Sequence, residues 1–249
     1  MKQFFKYLII FLLFTYSPIY CQSFGISAGY GSLNMNEVNQ DLDDFGDVFS
    51  SIGAFTSLPE EVTGGLYLEG NFKYPIGIFN LGISGNYISS SGNFNYSATD
   101  GSFEANYDAS TVEVLGLFEI FIPLENSSFH PFVQLAGGVG FASAERLWDF
   151  RILNEQTVNL TAKNAVDGNY FAGRIKGGVQ FVLQNIILEA AAGYRIANAG
   201  ELIGDLIVNS SIGNNETVKN APVEDMNGNA IEFDYSGFML TAGISIVIL

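Results

Sequence analysis

Eight charged side chains fall where four alternating runs would set them on a face of their own. Glu69 and Lys73 alternate with Leu66, Leu68, Phe72 and Tyr74, and Glu113 and Glu119 with Val112, Val114, Phe118 and Ile120. Arg174 and Lys176 alternate with Phe171, Ile175, Val179 and Phe181, and Glu189 and Arg195 with Ile186, Leu188, Tyr194 and Ile196. Successive residues of a strand point to opposite sides of its sheet, so these charges share a parity that the large apolar residues avoid. Four carboxylates against four cations make a balanced set. Two chemistries suit it: a packed network of mutually neutralising ion pairs, or a charge-lined pore. A small closed barrel is just wide enough for side chains to fill it, and an unpaired ion there is costly, so the network is preferred.

Little else in the chain points to catalysis or cofactor chemistry. The single histidine, His130, lies between Phe129 and Pro131 in a short connection. A His–Ser or His–Asp device at the side of the long connections cannot be built from it. No His/Cys cluster has metal-ligand spacing, and no Gly-rich phosphate loop is followed by a Lys. We therefore expect no enzymatic activity, no metal and no cofactor. Asp41, Asp43, Asp44, Glu60 and Glu61 offer oxygens to a hard divalent ion, but without the spacing of a calcium loop they read as solvated acidity. Cys21 is the only cysteine, so no intramolecular disulfide forms.

The elements that position the charges are eight alternating stretches: 24–30, 65–74, 79–88, 111–122, 132–142, 170–183, 186–196 and 238–248. Each is near the roughly 9–11 residues that a tilted strand needs to cross a bilayer. An even number of strands closes a sheet with both ends on one side. Connections alternate between short (74–77, 123–131, 184–185) and long (31–64, 89–110, 143–169, 197–237). Of the 26 acidic residues, 21 lie in the long connections, so charge sorts with them. The net charge of −16 argues against nucleic acid, whose phosphates need Lys and Arg.

Within the first long connection, Val38, Leu42, Phe45, Phe49 and Ile52 recur at helical spacing, which predicts an amphipathic helix beginning near Asn36. Such a helix would be a lid over a barrel mouth, or would cover the aromatic residues at its rim. Around Asn154–Gln156 and Asn227-Gly228 the pattern predicts hairpins that prolong the strands. Trp148, Phe150 and Tyr235 there would touch a partner or mark a bilayer interface. Residues 1–21 read as a cleaved signal peptide: Lys2 and Lys6 precede a short apolar run, with cleavage placed after Cys21. Residues 22–249 then form the barrel domain, with greasy residues outward and a polar lumen.

With these features the chain resembles the small eight-stranded outer-membrane barrels of Gram-negative bacteria, the OmpA-, OmpX- and OmpW-like group. The resemblance extends to the last strand, residues 237–249 (Gly-Phe-Met-Leu-Thr-Ala-Gly-Ile-Ser-Ile-Val-Ile-Leu), though Leu249 stands where the group has an aromatic residue. It implies an all-β, antiparallel, up-and-down transmembrane barrel with long loops extracellular and termini periplasmic. It also implies a monomer among outer-membrane lipid and lipopolysaccharide, inserted by the barrel-assembly machinery. The role expected is structural or surface-interacting, with acidic loops meeting an extracellular ligand of unspecified identity. The alternatives are a small porin-like or hydrophobic-solute transport barrel, and a soluble secreted lipid-binding barrel.

Overall fold

The computed structural model describes residues 22–51, 58–122, 124, 128–153, 157–213, 215–225 and 227–248. The expected signal peptide, with Cys21, and Ile52 of the expected helical stripe lie outside the described residues. Strands β1 (Gln22–Ser32), β2 (Gly64–Ile76), β3 (Phe79–Ala98), β4 (Gly101–Phe121), β5 (Phe129–Ile152), β6 (Val158–Leu183) and β7 (Ile186–Ile196) pair in sequence order. The last connection adds β8 (Asn198–Glu201), β9 (Ile203–Ser210), β10 (Glu216–Pro222) and β11 (Glu232–Asp234) before β12 (Gly237–Ile248). β12 pairs with both β7 and β1, so β1–β7 and β12 close an antiparallel ring of 8 strands.

At one end of the ring the strands turn tightly. Gly77 takes a φ of 66° between β2 and β3, a left-handed conformation open to glycine at little cost. Gln184 takes a φ of 52° between β6 and β7. At the other end the strands run further than expected. The connection 89–110, expected as a loop, is instead the continuation of β3 and β4 to a turn at Thr99-Asp100. β5 and β6 stay paired up to Ile152 and Val158, in keeping with the hairpin expected around Asn154–Gln156, whose tip lies outside the described residues. The reason lies in a reversal of pattern. Below, the outward residues are apolar, such as Val112, Val114 and Phe141; above, Phe94, Phe103, Ala105, Tyr107 and Trp148 occupy the inward parity instead. The change comes at Ser89, Ser110 and Ser143, which stand side by side across β3, β4 and β5.

β9 pairs with the upper part of β6, from Leu160 to Asp167, and β10 pairs with β9. β3–β6 with β9 and β10 thus form a sheet that stands above the ring. β11 pairs with β8, carrying the hairpin of β7 and β12 upward. A tight turn lies at Asn227-Gly228, where the Asp225 amide donates to the Asn229 carbonyl at 2.8 Å.

The helix α1 (Asn36–Ser51) folds back over the ring's open end. Val38, Leu42 and Phe45 are buried, and the Phe45 ring lies 5.0 Å from Phe103 and 5.3 Å from Trp148. Phe49 lies 4.6 Å from Tyr96 and 5.0 Å from Phe103. The apolar core of the chain therefore lies mostly under α1 and beside Leu202, Val223, Ile231 and Phe233 of the last connection, with Leu115 and Ala172 reaching into the ring.

Candidate functional site

The ring interior holds all eight charged side chains named from the sequence, and each is buried. Nearest the tight turns, Lys73 Nζ lies 2.5 Å from Glu119 Oε2 and 3.3 Å from Glu189 Oε2. Lys176 Nζ lies 2.9 Å from Glu189 Oε1 and 3.2 Å from Glu69 Oε2. Above them, Arg174 pairs with Glu69 at 3.0 Å and donates to Tyr67 Oη at 2.7 Å and Gln134 Oε1 at 2.7 Å. Arg195 Nε then lies 3.6 Å from Glu113 Oε1. Asn86 links the two tiers: it accepts from Arg174 at 3.1 Å and donates to Glu113 at 3.2 Å.

Tyr67, Asn86, Gln134, Tyr170 and Gln180 are parts of this network that a search for charges passes over. Gln134 and Gln180 donate to Glu119 at 3.0 Å and 3.1 Å, and Tyr170 donates to Glu113 at 3.0 Å. They occupy the same inward parity as the ions, so polar rather than charged alternation is the signal that finds them. Four acids and four bases cancel. Buried ions persist when paired and hydrogen-bonded, and every charge of this set lies within 3.6 Å of an opposite one.

A second closure lies above. Asp41 of α1, grouped with the solvated acids in the sequence reading, is buried and accepts a hydrogen bond from Tyr107. Arg146 Nη1 lies 3.9 Å from Asp41 Oδ2, and its guanidinium lies 3.9 Å from the Trp148 ring centroid. Burial pushes the Tyr107 phenol up, so it remains a donor. Trp148, Phe150 and Tyr235, expected at a partner surface or a bilayer interface, turn into the core instead, because the parity reversal points them inward. Tyr235 stacks on Tyr170 with ring centroids 6.2 Å apart.

His130 is the second residue of β5 among the tight turns, beside the Phe121 ring, and its Nδ1 has no hydrogen-bond partner among the described residues. Among the described residues, no group of three or more His, Cys, Asp or Glu side chains could hold a metal ion.

The ring's exterior has the opposite chemistry to its lumen. Outward aromatic residues gather near both ends: Tyr30, Tyr87, Phe141, Phe171, Tyr194 and Phe238 toward α1, and Phe24, Phe72, Tyr74, Phe118, Phe129 and Phe181 toward the tight turns. Aliphatic residues such as Ile83, Val114, Leu135 and Ile175 fill the band between and are exposed. Large apolar patches on a water-facing surface are rare, whereas a closed barrel with two aromatic girdles and a polar interior suits hydrocarbon. The architecture is that of a closed eight-stranded antiparallel β-barrel whose exterior suits hydrocarbon.

No protein-family model and no curated protein matches the chain. Among solved structures, the barrel is similar to Neisserial surface protein A, at 10% identity over 91% of this chain and 97% of that one, with a TM-score of 0.40. It is also similar to Ail, the attachment invasion locus protein of Yersinia pestis, at 14% identity over 92% and 100%, with a TM-score of 0.37. The outer membrane protease OmpT of Escherichia coli matches at 9% identity over 92% and 97%, with a TM-score of 0.34.

Proposed function

We propose that this barrel is a closed, non-enzymatic surface protein of the outer membrane, with α1 and the tall sheet extracellular and the tight turns periplasmic. It acts as a monomer among lipid and lipopolysaccharide, inserted by the assembly machinery, and presents acidic connections to an external partner. The observation that carries this reading is the double closure of the lumen. The ion network spans the ring, and the aromatic core under α1 lies above it. A transport barrel for apolar solutes would need room beneath α1, where Phe45 and Phe49 instead pack on Phe103 and its neighbours. A soluble lipid-binding barrel would carry its apolar residues inside and its charges outside, and here they are reversed.

Planar-bilayer recording of the refolded barrel tests the proposal, with insertion checked by heat-modifiable gel mobility. The expected result is no discrete conductance from inserted protein. Single-channel steps whose amplitude changes on Arg174→Met or Arg195→Met would establish a pore and overturn the reading.

A further inference from the structure

Two pieces from opposite ends of the chain close the mouth: α1 near the start and the connection 197–236 near the finish. Each has a fastening of its own. α1 is tied to the segment after it, where Asn39 Oδ1 accepts from the Val62 amide at 2.7 Å. The last connection is tied to β6, where Asn164 Nδ2 donates to the Pro222 carbonyl at 3.0 Å. The two pieces also touch at the rim, where Glu37 accepts from the Glu232 amide at 2.6 Å.

One wall side chain reaches both from inside. Arg146 of β5 is buried, on the inward parity of Ala142 and Ala144. Its Nη1 donates to the Glu224 carbonyl of the last connection, and the same atom lies 3.4 Å from Tyr107 Oη and 3.9 Å from Asp41 Oδ2 of α1. Tyr107 completes the triangle by donating to Asp41. Trp148 backs the guanidinium and fixes its plane.

We infer that Arg146 couples α1 and the last connection, so that the two pieces loosen and tighten together. A guanidinium cannot shed its charge, and a buried one needs an anion nearby. Without the Asp41 charge, Arg146 must turn toward water, and the Glu224 carbonyl loses its donor. If the last connection lifts, Arg146 loses an acceptor and holds Asp41 less firmly. Coupling of this kind is reciprocal by thermodynamic necessity. A partner bound at the last connection would therefore be felt at α1 across the mouth.

Amide hydrogen exchange on the refolded, full-length barrel in detergent micelles tests the inference from both sides. Asp41→Asn is expected to raise exchange at least tenfold in α1 and also in residues 222–225. Asn164→Ala, at the β6 position paired with Arg146 and fastening the last connection, is expected to raise exchange in residues 216–225 and also in α1. In an Arg146→Met background, Asn164→Ala should no longer affect α1. If Asp41→Asn fails to refold, Asn164→Ala decides alone. Exchange that rises only in the segment nearest each substitution, with the other within twofold of the parent, would overturn the coupling. So would an Asn164→Ala effect on α1 that survives Arg146→Met, which would place the link at the rim contacts of Glu37 with Glu232 and Asn34 with Asp234 instead.

Discussion

Replacing Lys176 by Met removes a cation that two carboxylates share. Its ammonium lies 2.9 Å from Glu189 and 3.2 Å from Glu69, and its side chain is wholly buried. At such separations each contact is worth on the order of 5 kcal/mol before desolvation, at an effective dielectric of about 20. Most of that gross attraction offsets the cost of taking the ions out of water. Neither acid is orphaned: Glu69 keeps Arg174 at 3.0 Å, and Glu189 keeps Lys73 at 3.3 Å. The net loss should therefore fall at the low end of the range for breaking buried pairs, about 3 kcal/mol. Urea unfolding of the refolded barrel in lipid vesicles, followed by gel mobility, measures it. Lys163→Met is the comparison, because Lys163 meets Glu145 at 2.6 Å with both side chains about two-fifths exposed. That loss should stay below about 1 kcal/mol. Adding Glu189→Gln to Lys176→Met should recover part of the deficit by removing a surplus negative charge. If Lys176→Met and Lys163→Met unfold within about 1 kcal/mol of each other, burial is not what makes these ion pairs matter, and the reasoning fails.

Four further substitutions address the exterior and the glycines. Val114→Arg, on the aliphatic band, should cost about 2–4 kcal/mol when the barrel is refolded into bilayers, whereas a water-facing surface would tolerate it; the same urea titration decides. Gly70→Ala and Gly85→Ala should stabilise by about 0.5–1 kcal/mol, since an added Cβ meets nothing within 4 Å. Gly82→Ala should instead destabilise by about 1–3 kcal/mol, because its Cβ would lie 2.0 Å from the Phe72 carbonyl oxygen, and unfolding midpoints compared across the three variants test both signs.

What could be read in advance followed the physical range of each signal. Alternation is local, so the parity of Glu69, Arg174 or Glu189 is legible from a few neighbours. Which acid meets which base is not, because Lys73 reaches Glu119 and Glu189 across a ring whose closure depends on every register in it. The stripe of Val38, Leu42, Phe45 and Phe49 is likewise local, and it forms the buried side of α1. The upper parts of β3 and β4 depart from the loop expected at 89–110 for a definite reason. A constant apolar parity is the mark of one solvent, and β3, β4 and β5 pass through two. Phe94, Phe103 and Trp148 look out of phase only if hydrocarbon is assumed along the whole strand. The same assumption left Asp41 and Arg146 unconnected, since their meeting depends on the helix docking against a wall taken for a loop.

In the membrane setting proposed, the row of Ser89, Ser110 and Ser143 would mark a waterline, and the strands above it a mast. β5 continues for nine residues from Ser143 to Ile152, roughly 30 Å along its length before tilt is allowed for. Because β3–β6 climb as one hydrogen-bonded sheet braced from within by α1, the crest with Leu153 and Ile212 is held at a set height rather than left to sway. In the bilayer setting proposed for the barrel, whatever touches that crest meets it well clear of the lipid.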